Sequence, residues 1–210
     1  MNHVSPEIEA YLRELAEVDD EPVLLEMEAL AEAKKFPIIG RLCGQVLEVM
    51  ARAVSAKRIF EMGSGYGYSA YWFSRATGPD GEIHLTDMDP ENETKALDFL
   101  GRAGLAGPIQ YHVSDAFSAF DDTEGEFDVV YCDIDKDGYP EAWRRAKDRV
   151  RVGGLYMCDN MLWSSRVVAA EKDPMTQAID ETNRMIANDP DWRMFILPTR
   201  DGVGIATRIH

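Results

Sequence analysis

The sequence predicts an α/β fold: a single doubly wound, mostly parallel sheet of seven strands, with an antiparallel last strand and helices at the N-terminal end. Three observations carry this expectation. After Lys57, short apolar runs alternate with helical segments, the pattern of βαβ units whose sheet is covered on both faces. A glycine-rich loop follows the first run and opens a helix, which places a ligand-facing turn at a strand end. The last two runs are joined through Pro198-Thr199-Arg200-Asp201-Gly202, a link short enough for a hairpin.

The elements follow in order. Residues 6–18 and 22–35 each place a proline near a helix start and are rich in good helix formers. Residues 40–54 carry Leu42, Val46, Val49, Met50 and Ala53 on one helical face. Pro37 disfavours helix in the residue before it and separates these two helices. Strands are expected at 58–62, 82–86, 109–113, 127–132 and 154–158, with helices at 68–77, 90–103, 116–121 and 139–150 between them. A helix at 174–188 precedes the closing strands at 193–197 and 203–209. No repeat or linker interrupts the chain, so one domain is expected over 1–210, with N-terminal helices in 1–55 and the sheet core in 56–210.

Composition narrows the function classes. A chain of 210 residues can bury a core without disulfides or a structural metal. No window approaches the ~18 apolar residues of a membrane span. The first 21 residues are acidic and lack a signal pattern, so a cytoplasmic location is expected. Twenty-two basic against 38 acidic groups leave a net charge of −16, which argues against nucleic acid and anionic membranes as partners. Cys43, Cys132 and Cys158 are far apart with no CxxC pair and read as buried thiols. His3, His84, His112 and His210 are scattered, with no spacing that suggests a catalytic or metal role.

The loop Glu61-Met62-Gly63-Ser64-Gly65-Tyr66-Gly67-Tyr68-Ser69 reads ExGxGxG. A dinucleotide fingerprint needs GxGxxG, and Tyr68 stands in its third glycine position, which disfavours a nucleotide-binding oxidoreductase. Gly63, Ser64 and Gly65 are candidate contacts for a nucleoside ligand. Asp87, 24 residues after Gly63, closes the second strand, where an acid can accept both hydroxyls of a ribose. Ser114-Asp115-Ala116 ends the third strand, where it could border the base. Each acid also suits a helix N-cap, and for Asp115 the two readings are equally open.

Two further strands end in acids. The fourth runs into Asp133-Ile134-Asp135-Lys136-Asp137 and the fifth into Asp159-Asn160. Neighbouring strands of a doubly wound sheet bring their C-terminal ends into one crevice. Asp133, Asp159 and Asn160 would then offer three hard oxygen ligands, suited to Mg²⁺ foremost and to Mn²⁺ or Ca²⁺, with helix capping as the alternative. Lys136, on its own residues, reads as an exposed lysine paired with Asp135 or Asp137. Trp163 reads equally as packing or as a wall for an aromatic ligand.

With these motifs in place the chain resembles the cation-dependent O-methyltransferases, the family of caffeoyl-CoA and catechol O-methyltransferases and their small bacterial relatives. The similarity runs over about 36–209 and is most specific in 61–69, in Asp133-Ile134-Asp135-Lys136-Asp137-Gly138-Tyr139 and in Asp159-Asn160-Met161-Leu162-Trp163. The resemblance implies a Rossmann-like methyltransferase that moves a methyl group from S-adenosylmethionine to a hydroxyl of a small, catechol-like aromatic. It implies that Glu61, Gly63 and Ser69 bind that cofactor, with Asp87 on the ribose, Ala116 near the adenine and Asp135 facing it. It further implies a divalent cation on Asp133, Asp159 and Asn160, Lys136 as general base, and a homodimer. Ile134 departs from the smaller or polar residue of the family, and residues 164–177 match no substrate pattern. A cofactor-binding protein without catalysis is the remaining alternative.

Overall fold

Pleating sends alternate residues of a strand to opposite faces, and here both sets are apolar, so both faces of the sheet must be covered. The computed structural model describes residues 5–16 and 21–210. Five strands run parallel: β1 (Arg58–Met62), β2 (Glu82–Asp87), β3 (Ile109–Val113), β4 (Phe127–Cys132) and β5 (Val150–Cys158). The last strand, β7 (Val203–Arg208), lies antiparallel between β5 and the edge strand β6 (Trp192–Leu197). The sheet order is β3-β2-β1-β4-β5-β7-β6, so the order in which strands are added reverses between the parallel neighbours β1 and β4, the place where such sheets open a crevice.

On one face, Ile59, Leu85, Val129 and Met157 meet α2 (Pro22–Lys34), α3 (Gly40–Ala53), α4 (Tyr68–Thr77) and α5 (Pro90–Arg102). On the other, Phe60, Val130 and Tyr156 meet α6 (Ala116–Asp122), α7 (Tyr139–Ala146) and α8 (Pro174–Asn188). Burying each such Phe, Leu or Val contributes roughly 1.5–3 kcal/mol of transfer free energy, so these two layers hold the sheet. Local signals set the helix starts. Proline stands at the first turn of α2, α5 and α8, and the Asp89 and Asp173 carboxylates accept from the backbone N–H groups of Glu91 and Thr176. Gly44 lets α3 approach the buried Trp72, since a Cβ there would stand 2.2 Å from the indole nitrogen.

Most expected elements are found within a residue or two, including α1 (Pro6–Ala16). The expected end of that helix at Val18, and His3, lie outside the described residues. The helix expected over 139–150 stops at Ala146, and β5 begins at Val150, four residues earlier than expected. Val150 pairs with Phe127, and the register then shifts, with Val150 to Leu155 of β5 spanning only Phe127 to Val129 of β4; Val152 is exposed there and Gly153 has φ +79°, so no apolar run marks this stretch. Two 3-10 segments, Lys136–Gly138 and Trp163–Val168, were not expected.

All three cysteines are buried and free. The histidines are less scattered than their sequence positions suggest. His84 Nδ1 lies 3.0 Å from His112 Nε2, and His84 Nε2 lies 2.6 Å from Glu82 Oε1, a chain that does not line the crevice. No helix among the described residues is long and apolar enough to cross a membrane.

Candidate active site

Register places three loop starts side by side. Met62 is level with Cys132, and Cys132 with Cys158, so Gly63, Asp133 and Asp159 leave the sheet together. They floor a cleft of about 1300 Å³, room for a nucleoside-sized ligand and a second small molecule.

The glycine loop is built by close approach. Gly63, Gly65 and Gly67 have φ of +83°, +49° and +84°. A Cβ on Gly63 would lie 2.5 Å from the Asp133 carbonyl oxygen, and one on Gly65 would lie 2.8 Å from Phe36. The N–H groups of Gly63 and Ser64 do not face the cleft as free donors. They donate to Thr86 Oγ1 (3.1 Å) and to the Thr86 carbonyl (2.8 Å), while the Thr86 N–H donates to Ser64 Oγ. Thr86 thus ties the loop to β2, a role its sequence position gives no hint of beyond its place before Asp87.

Glu61 is fully buried beneath this loop. Its Oε1 accepts from the Ser69 hydroxyl and its Oε2 has no partner. Burial, with the charge of Asp133 adding to it, pushes the Glu61 carboxyl up to about 8. Ser69, Ser64 and Gly65 line the cleft, as do Asp87, Asp115, Ala116 and Asp135. Asp87 Oδ1 accepts from the Asp89 N–H (2.8 Å) and Asn92 Nδ2 (3.1 Å), which fixes the carboxylate and leaves Oδ2 without a hydrogen-bond partner among the described residues. Asp115 caps α6 through the Ser118 N–H at 3.0 Å, the capping alternative, while still bordering the cleft. Asp135 opens the 3-10 turn without a side-chain cap, and Ile134 lines the cleft beside it.

Asp159 is buried, and its carboxyl is pushed up to about 7 by that burial and by the neighbouring Asp133 charge. Asn160, at φ +58°, follows it into the cleft. Lys136 is bonded to neither Asp135 nor Asp137. Its ammonium donates to Asp133 Oδ1 (3.0 Å), to the Ile134 carbonyl (3.2 Å) and to the Tyr139 hydroxyl (2.7 Å). Burial alone would lower the Lys136 pKa, but the Asp133 carboxylate outweighs it and holds the amine above its ordinary value. Tyr139, missed in the sequence, donates in turn to the Asp159 carbonyl at 3.0 Å and so joins both strand ends. Trp163 stands at the cleft with Lys136 5.9 Å from its ring centroid. Among the described residues no three His, Cys, Asp or Glu side chains gather as a metal set, so any cation here would rest on two carboxylates and the Asn160 amide.

A family model described as O-methyltransferase matches residues 4–209. The caffeoyl-CoA O-methyltransferase of Pinus taeda is 33% identical over 180 residues, covering 80% of this chain and 70% of that protein. Caffeoyl-CoA O-methyltransferase 5 of Nicotiana tabacum is 32% identical over 179 residues, covering 79% of this chain and 75% of that protein. Among solved structures, the O-methyltransferase TomG of Streptomyces achromogenes, determined in complex with S-adenosylmethionine, superposes with a TM-score of 0.87 at 24% identity, covering 97% of this chain and 96% of that one.

Proposed function

The chain belongs to the O-methyltransferase family, taking its methyl group from S-adenosylmethionine, and from that premise we propose that it methylates a hydroxyl of a small catechol-like aromatic with a divalent cation on Asp133, Asp159 and Asn160. The observation that carries this reading is the pair of acids on neighbouring strand ends, one buried, with a single ammonium bonded between the 3-10 turn and Asp133. Two carboxylates so placed raise each other's cost of ionisation, and a dication offsets both. The donor set of two carboxylates and an amide is hard oxygen throughout and fits Mg²⁺-type ions. The cation, when bound, supplies a Lewis acid that lowers the pKa of an acceptor hydroxyl.

The remaining work falls to the chain. Asp87 presents its free Oδ2 toward the ribose, Ala116 and Asp115 border the adenine, and Ser64, Gly65, Ser69 and Asp135 line the rest of the cofactor's side. Glu61 acts from beneath, holding Ser69 and keeping an unpartnered oxygen under the loop, which fits a cationic group above it. Lys136 is placed to take the hydroxyl proton or to hold the resulting oxyanion. Its pairing with Asp133 keeps it protonated, so the accepting form requires that carboxylate to be drawn to a cation. Trp163 and Ile38 give the acceptor ring apolar walls. An oxidoreductase reading fails on Tyr68, buried and bonded to Glu28 Oε1 at 2.7 Å where a dinucleotide loop needs glycine.

Calorimetry tests the cofactor side. S-adenosylhomocysteine and S-adenosylmethionine should bind and NAD should not, and Asp87→Ala should weaken the former by roughly 1–3 kcal/mol as ribose donors lose their acceptor. Tight NAD binding, or adenosyl affinity indifferent to Asp87→Ala, would sink this assignment.

A further inference from the structure

Arg200 is a cation at the cleft with no ion-pair partner among the described residues. It lies in the hairpin between β6 and β7, lines the cleft and is exposed there. One N–H of its guanidinium donates to the Ile38 carbonyl at 2.7 Å, and among the described residues it has no carboxylate partner. Several other charges around the cleft are paired. Glu28 is held by Arg41 at 2.8 Å, Glu141 by Arg145 at 2.7 Å, and Lys136 by Asp133 at 3.0 Å. Arg200 also sits at φ +52°, a left-handed position that suits glycine and costs a residue with a Cβ roughly 1–2 kcal/mol. Gly40 makes room for it, since a Cβ there would stand 2.9 Å from Arg200 Nη1. The bond to Ile38 fixes Nη1 of the planar fork, and no other hydrogen bond from the guanidinium is found among the described residues. Arg200 lines the same cleft as Asp159 and Asn160, and its hairpin is tied to the segment that follows them, with the Leu162 N–H on the Asp201 carbonyl and the Met161 N–H on the Gly202 carbonyl, both 2.9 Å.

We propose that Arg200 is a specificity-determining residue that takes a free carboxylate on the methyl acceptor, so that the preferred substrates are small catechol acids rather than their esters or thioesters. This inference rests on the methyl-transfer reading above. A bidentate guanidinium–carboxylate pair is directional and charge-assisted, and one fork meets one carboxylate. A coenzyme A thioester has no carboxylate at that end. It also brings several phosphate charges to a cleft lined by nine carboxylate residues and two cationic ones.

The test measures kcat/KM for caffeate, its methyl ester and caffeoyl-CoA, with S-adenosylmethionine and Mg²⁺, in the unmodified chain and in Arg200→Gln, Arg200→Lys and Arg200→Gly. Caffeate should exceed its ester by roughly ten- to hundredfold, the discrimination of one charge-assisted pair. In Arg200→Gln and Arg200→Gly that ratio should fall toward one, through KM for caffeate, while Arg200→Lys keeps part of it. Arg200→Gly suits the left-handed backbone, so it should melt no lower than the unmodified chain. An ester or thioester used as well as caffeate, or an acid-to-ester ratio unmoved in the Gln and Gly variants, would overturn the role of Arg200. Methylation of none of the three would instead defeat the catechol reading and this inference with it.

Discussion

Lys136→Ala lowers kcat by about 10²–10⁴-fold while the affinity for S-adenosylhomocysteine stays nearly intact. The expectation comes from where the ammonium is held. Lys136 is tied by three bonds at the cleft floor, to Asp133, the Ile134 carbonyl and Tyr139, whereas the cofactor's expected contacts lie along Ser69 and Asp87. Lys136→Arg divides the two chemical roles. Arginine keeps the positive charge but does not give up a proton in a protein, so recovery of kcat with arginine means the charge holds the oxyanion, and failure to recover means Lys136 takes the proton. An unchanged kcat in Lys136→Ala on an active acceptor would return Lys136 to a structural tie between Asp133 and Tyr139.

Asp159→Ala lowers metal affinity and turnover together, by at least the roughly 10–100-fold that loss of an outer metal partner costs. The companion Asp159→Asn separates ligation from capping. Asp159 is buried beside the Asp133 charge, and its raised pKa means that ionisation is unfavourable in the metal-free protein. Removing that charge should therefore raise the melting temperature without metal and abolish the rise that Mg²⁺ gives the unmodified chain. Asn160→Asp retains the cation but adds a negative charge around it, so hydroxyl acidification and kcat should fall while metal affinity holds. Metal affinity unchanged in Asp159→Ala would mean that the acid pair is not the cation's seat.

Which parts of this molecule could be read before the fold was seen follows from how local their signals are. The bounds of β1, α4, β3, β4 and α8 coincide with expectation because each is announced within a few residues, by a glycine loop, a proline at the first turn or an aspartate cap. The start of β5 was hidden because Arg151, Val152 and Gly153 carry no apolar run and fall where the register with β4 shifts. The same limit applies at the site. Asp133, Asp159 and Asn160 could be placed together because strand ends in such a sheet share one rim. The partner of Lys136 could not, since Asp135 and Asp137 are its immediate neighbours in sequence, yet with the 3-10 turn at Lys136–Gly138 the ammonium meets Asp133, three residues back. Thr86, Tyr139 and Arg200 act across the chain, on Gly63, Asp159 and Ile38, through contacts that no spacing encodes. His84 and His112 met for a similar reason, since strand register, not sequence distance, sets that pairing.

The most direct test of cation-dependent O-methyl transfer follows labelled methyl from S-adenosylmethionine to a catechol, in protein stripped with EDTA and then given Mg²⁺ or Mn²⁺. The account predicts no transfer after chelation and restored transfer with either ion, with S-adenosylhomocysteine binding persisting throughout because Asp87 and Ser69, its expected contacts, are not among the residues proposed to hold the cation. Full methyl transfer in excess EDTA would contradict it.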